Sequence, residues 1–202
     1  FGTEKPVGVG PMWDKNTAVS LRTSDNWPAK LDTGINEAVW HTGIPIAYHE
    51  DNCLVYTLCG GSAADLSDEQ IKKILSRGVY MDTAALDALN ARGYSEYTGF
   101  ATEKYLPVDV IEKYTRHPLN SGLEGRERDC RQSFWHFSAA CLEPTAPGAQ
   151  TLAVYTDYTR KTIHGCGMGI YINSLGGRVC VAGYFPYTLI FSSAKTAQLK
   201  NI

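Results

Sequence analysis

The chain of 202 residues has no run of five or more charges of one sign, and its 19 Lys and Arg nearly balance 21 Asp and Glu. Such a surface offers no electrostatic footprint to a nucleic-acid backbone or an anionic membrane, so neither is expected as a partner. No apolar run is long enough for a membrane span: the longest strongly apolar region, Val179 to Phe191, is broken by Gly183 and Pro186. A basic segment leading into an apolar one is missing from the N-terminus, so no signal peptide is read there. Histidine is scarce, with five in all. His164-Gly165-Cys166, even with His41 and His49, matches no recognised zinc spacing, and no metal is expected. A phosphate-binding glycine loop is also lacking. Gly165-Cys166-Gly167-Met168-Gly169 is glycine-rich but lies in a β context with no helix after it, so no nucleotide or other cofactor is expected.

Six cysteines, Cys53, Cys59, Cys130, Cys141, Cys166 and Cys180, are scattered through the chain. Their even number permits disulfides. Several sit in apolar runs, as in Cys53-Leu54-Val55-Tyr56 and Val179-Cys180-Val181, where cysteine acts as a small hydrophobe. They are expected to be reduced, buried and inert, which leans toward a cytoplasmic location. The chain starts at Phe1 and is expected to be a processed product or a piece of something longer.

With 44% hydrophobic residues the chain can bury a real core. Thr17 to Arg22 reads as a short strand, and Leu31 to Thr42 has helical apolar spacing closed by Gly43. Ile44 to Tyr48 and Cys53 to Leu58 follow as strands, the second bounded by Cys59-Gly60-Gly61. Ser67 and Gln70 form a capping-box pattern at the start of a helix that Gly78 stops. Val79-Tyr80-Met81 fits a strand covered on both faces, and Ala84 to Arg92 the next helix. This alternation predicts an α/β domain, a flavodoxin-like three-layer sandwich with a mainly parallel sheet, over residues 1–100. Residues 101–150, with Pro107, Pro118, Pro144 and Pro147, predict an irregular connection or insertion. Residues 151–202 predict a β-rich C-terminal portion, packed on or completing the core, with a hairpin turning at Gly176-Gly177.

The sequence Leu66-Ser67-Asp68-Glu69, leading to Gly78-Val79-Tyr80-Met81-Asp82 and then Ala85-Leu86-Asp87-Ala88-Leu89 and Arg92-Gly93, resembles the amidotransferase-like domain of large bacterial glycoside hydrolases. The trimerisation domain of family 42 β-galactosidases is the nearest in pattern. Gly43-Ile44-Pro45, His117-Pro118-Leu119-Asn120 and the Gly176-Gly177-Arg178-Val179 hairpin extend the resemblance over most of the chain. In glutamine amidotransferases of this fold, the turn after the equivalent strand carries a cysteine nucleophile, activated by a histidine and set over backbone donors. Here Asp82-Thr83 occupies that turn. The resemblance therefore implies a module whose nucleophile turn has become structural.

Asp82 is a candidate nucleophile or base, but aspartate at a helix start also satisfies unpaired N–H groups. Cys59, followed by two glycines at a strand end, is the rival nucleophile and would need one of the histidines as base. His117, between Arg116 and Pro118, is a candidate substrate-binding residue or a structural cap. Trp135, within Phe134-Trp135-His136-Phe137, is a candidate sugar-stacking or packing residue. Glu124, Glu127 and Asp129 alternate with Arg126 and Arg128 in what reads as a solvated charged loop.

These readings predict a non-catalytic accessory or oligomerisation domain of a multidomain carbohydrate-active enzyme. Its partners would be a neighbouring catalytic domain or identical subunits, with carbohydrate as a further ligand. Two alternatives stay open: a stand-alone cysteine hydrolase or amidase using Cys59, and a carbohydrate-binding module using Trp135.

Overall fold

The computed structural model describes residues 8–11, 42–45, 47, 52–133, 138–184 and 192–202. They form a mixed α/β fold around one ten-stranded sheet. The strands are β1 (Gly8–Pro11), β2 (Cys53–Leu58), β3 (Gly78–Asp82), β4 (Phe100–Tyr105), β5 (Val110–Tyr114), β6 (Glu127–Cys130), β7 (Ala140–Pro144), β8 (Gln150–Thr156), β9 (Ile163–Ile172) and β10 (Arg178–Ala182). The helices are α1 (Asp68–Arg77), α2 (Thr83–Ala91), the short α3 (Ser95–Thr98) and α4 (Ser193–Asn201). The main path runs β1-β2-β3-β10-β9-β8-β5-β6, with β7 paired to β9 and β4 to β7.

The sheet is parallel from β1 through β3 to β10. It is antiparallel from β10 onward. The expected mainly parallel sheet is thus a mixed one. The reason is connection length, since parallel neighbours need a crossover of about a dozen residues or more. Residues 157–162 and 173–177 can only fold the chain back on itself, whereas α1 spans the β2-to-β3 crossover. Residues 101–150, expected as an irregular connection or insertion, supply β5, β6, β7 and most of β4 to the same sheet. Their prolines mark connections and the last residue of β7 rather than interrupting strands.

Sequence and local structure agree closely around α1. The Ser67 hydroxyl accepts from Gln70 N at 3.2 Å and the Gln70 side chain accepts from Ser67 N at 2.9 Å, a full capping box. Ile71, Ile74 and Leu75 bury one face of the helix. Strand alternation then divides the core. Val79 and Met81 of β3, with Val179 and Val181 of β10, meet α1 and α2 in one cluster. Tyr80, Cys180 and Ala182 turn to the other face, in a cluster that includes Leu199 of α4.

The glycines of β9 also have a packing role. A Cβ at Gly167 would lie 2.7 Å from the Tyr155 ring, and one at Gly169 would lie 2.3 Å from the Phe100 ring. The glycine-rich run, read from sequence as lying in a β context, is therefore strand backbone that makes room for aromatic rings.

The expected strand at 17–22 lies outside the described residues, as does most of the expected 31–42 helix. Part of the 44–48 strand is described: Val9 N donates to Pro45 O and Ala47 N donates to Val9 O, both at 2.9 Å. That staggered exchange is the parallel-ladder pattern.

Candidate functional site

Leu58 pairs with Met81, which brings the ends of β2 and β3 level and sets the Cys59-Gly60 turn against Asp82. Gly60 leaves β2 with φ +57, a left-handed conformation that favours glycine. Its N–H meets both Asp82 carboxylate oxygens at 3.2 Å, while Asp82 Oδ1 accepts from Ala85 N at 2.9 Å. Asp82 is thus the N-cap of α2 and a tie between two strand ends. The Gly60 N–H is thereby taken up by the Asp82 carboxylate. Asp82→Ala should lower stability by about 1–2 kcal/mol. Asp82→Asn, which keeps an acceptor oxygen, should recover most of that loss in urea unfolding. An unchanged midpoint in Asp82→Ala would remove the capping role.

Cys59 is 1% exposed and belongs to the core cluster that holds Tyr80 and Cys180. All six cysteines are buried, and none is in a disulfide. Burial pushes the Cys130 and Cys180 thiols up to about 12 and that of Cys141 up to about 11. These three are poor sources of thiolate near neutral pH.

His117 stands at the opposite end of the sheet. It caps a 3-10 turn at Pro118–Asn120, with Nδ1 accepting from Leu119 N at 3.1 Å. That bond places the ring proton on Nε2, which donates to Gln150 Oε1 at 2.7 Å. His117 and Arg178 line one pocket, and Arg178 pairs with Gly78 at the start of β3, whereas Ala182 pairs with Asp82 at its end. Four strand steps, about 13 Å, separate those registers. The structure brings Cys59 and Asp82 together and leaves His117 apart, so Cys59 and His117 do not form a dyad.

His41, His49 and Trp135 lie outside the described residues. Among the described residues, no group of three or more His, Cys, Asp or Glu could hold a metal. His164 Nε2 is buried without a hydrogen-bond partner there.

A buried charge cluster was not anticipated from sequence. Glu112 Oε1 lies 2.7 Å from Lys195 Nζ, and Glu112 Oε2 lies 2.8 Å from Arg128 Nε. Lys195 also donates to Gln198 Oε1 at 2.5 Å, and Gln198 Nε2 donates to Asn120 Oδ1 at 2.6 Å. Arg128 lies 4.8 Å from the Tyr184 ring centroid, and Lys195 lies 5.0 Å from that of Tyr114.

The network fastens α4 to the sheet. Arg128, read from sequence as part of a solvated loop, faces inward because β6 alternates: Glu127 and Asp129 point out, Arg128 and Cys130 point in. The alternation beside a buried cysteine was the available signal. Burial alone would raise the Glu112 carboxyl, but Lys195 and Arg128 outweigh it and hold it below its ordinary range. Burial lowers the Lys195 ammonium, and Glu112 does not fully restore it because Arg128 adds a second positive charge.

Comparison with known proteins places this architecture. The fold is similar to part of the α-L-fucosidase isoenzyme 2 from Paenibacillus thiaminolyticus, with a TM-score of 0.59, 12% identity and 98% of the chain covered. It is also similar to part of a polyextremophilic β-galactosidase from the Antarctic haloarchaeon Halorubrum lacusprofundi, with a TM-score of 0.56, 12% identity and 96% covered. The chain spans only 32% and 30% of those two proteins, respectively. PurLQS from Thermotoga maritima aligns at a TM-score of 0.49 and 14% identity, over 98% of each chain. No family model and no curated protein matches the sequence. At these identities the likeness is one of fold.

Proposed function

We propose that the chain is a non-catalytic accessory or oligomerisation module of a multidomain carbohydrate-active enzyme, built on a class I amidotransferase-like, flavodoxin-like core. The observation that carries this reading is the Asp82 turn. Its carboxylate is engaged by Gly60 N and Ala85 N, and the neighbouring Cys59 is buried in the core. A turn that binds its own carboxylate has given up the arrangement a cysteine nucleophile and its oxyanion donors require. The fold shared with segments of two glycoside hydrolases supports the carbohydrate connection. On this reading the sheet and its helices offer a rigid surface to a neighbouring catalytic domain or an identical subunit, and sugar hydrolysis belongs elsewhere.

The 202-residue chain should show no turnover above buffer with glutamine, aryl amides, aryl esters or a panel of aryl glycosides. Iodoacetamide should label native Cys59 no faster than it labels the denatured chain. Turnover abolished by Cys59→Ser would overturn the reading in favour of a thiol hydrolase, and glycoside turnover would overturn it in favour of a glycosidase.

A further inference from the structure

A pocket of about 450 Å³ opens far from the Asp82 turn, with His117, Leu119, Gln150, Ile170, Ile172 and Arg178 in its lining. Strand register builds it. Gln150 of β8 pairs with Ile170 of β9, and Arg178 of β10 pairs with Ile172. Side chains two apart on a strand share a face, so these four project together on the side of the sheet that carries α4. The 3-10 turn beginning at Pro118 completes the rim.

The polar groups are set in one sense. His117 Nε2 donates to Gln150 Oε1, which engages the amide oxygen and leaves the amide NH2 as the donor end. Arg178 Nη1 donates at 2.7 Å to Ile202 O, a carboxylate oxygen in the 202-residue chain, which steadies the guanidinium, shares its charge and leaves Nη2 and Nε as further donors. Among the described residues, no Asp or Glu lines the pocket. Beside these donors Ile172 stands 63% exposed, an apolar surface at the pocket.

A steadied positive charge, an outward amide donor and an apolar floor suit a small ring that carries a carboxylate at one edge and C–H groups on one face. We propose that this pocket binds a hexuronate, with its carboxylate on Arg178, a ring hydroxyl on the Gln150 amide and its C–H face on Ile170 and Ile172. The sugar part rests on the carbohydrate-linked reading above; recognition of the carboxylate follows from Arg178 itself.

The test is NMR titration of the isotope-labelled 202-residue chain with glucuronate, glucose, cyclohexanecarboxylate and inorganic phosphate. Glucuronate should shift signals centred on Gln150, Ile172 and Arg178 and bind about tenfold or more tighter than glucose, as a charge-assisted hydrogen bond predicts. Arg178→Gln should remove that preference, and Gln150→Ala, a change at an exposed side chain, should weaken glucuronate about threefold. The proposal is overturned by no shift with glucuronate, by equal affinity for glucose, or by full affinity in both variants. Cyclohexanecarboxylate or phosphate binding as tightly as glucuronate would overturn it too, the first by removing the role of the sugar hydroxyls, the second by making the site one for any anion. Failure here leaves the turnover and labelling assays untouched, and catalytic turnover would sink the accessory reading without altering this titration.

Discussion

Glu112→Gln should destabilise the protein by about 3–5 kcal/mol at neutral pH, because it removes the carboxylate that the buried Lys195 and Arg128 share. In urea the midpoint should fall by on the order of 1.5 M. Lys195→Met should cost distinctly less, since it removes the surplus cation, leaves the Glu112–Arg128 pair intact and keeps the volume filled. The reverse order would show that the lysine, rather than the carboxylate, organises the cluster.

The pH dependence has a definite sign. Glu112 is held below its ordinary range when folded. Its contribution is therefore present above the unfolded carboxylate value, about 4.3, and is lost as pH falls through the lower folded value. Lys195 is also lowered. It binds its proton less readily folded than unfolded, so it adds stability as pH rises from its folded value toward about 10.4. Glu112→Gln should consequently show a shallower acid limb than the wild type. An acid limb unchanged in slope would mean that another carboxylate governs acid unfolding.

Gly177→Ala is the second large effect, at about 3 kcal/mol. A Cβ there would lie 1.9 Å from Leu75 O, a backbone atom of α1 that cannot swing aside. The hairpin would have to retreat from the helix. That would strain the Asn173 side chain, whose Nδ2 donates to Leu75 O at 2.9 Å and Tyr97 O at 3.2 Å and whose Oδ1 accepts from Gly177 N at 3.2 Å. Gly176→Ala is the informative comparison. Gly176 has φ +85, but no atom of the described residues lies within 4 Å of its added Cβ, so the left-handed backbone is what is penalised, by about 1–2 kcal/mol. Thermal unfolding should rank Gly177→Ala below Gly176→Ala. The opposite rank would place backbone conformation above helix contact at this turn.

Both effects depend on contacts between segments far apart in sequence, and that marks the limit of sequence reading for this chain. The capping box of α1, the buried β3 and the β9–β10 hairpin were legible because their signals are local: a cap three residues from its partner, an apolar run between glycines, a glycine pair between strands. Residues 101–150 were misread because their strands are short and the prolines in their connections outweighed a brief alternation. Ser67 and Gln70 declared themselves, whereas Glu112 and Lys195, 83 positions apart, gave no local sign of pairing.

The candidate site divides the same way. Asp82 as the start of α2 follows from residue type and position. That its carboxylate also reaches Gly60, 22 positions earlier, follows only once β2 and β3 lie side by side. The sequence by itself determined the strands and helices of residues 53–58 and 67–92 and the hairpin of 169–182, and that the Asp82 turn has no cysteine, because local sterics, capping and alternation suffice for those. Tertiary structure decided that Cys59 is buried, that His117 lies at the far end of the sheet, and that a guanidinium, an amide and two isoleucines from three strands face one pocket. Strand order and register bring those groups together, and both are set by packing across the whole sheet rather than by any one segment.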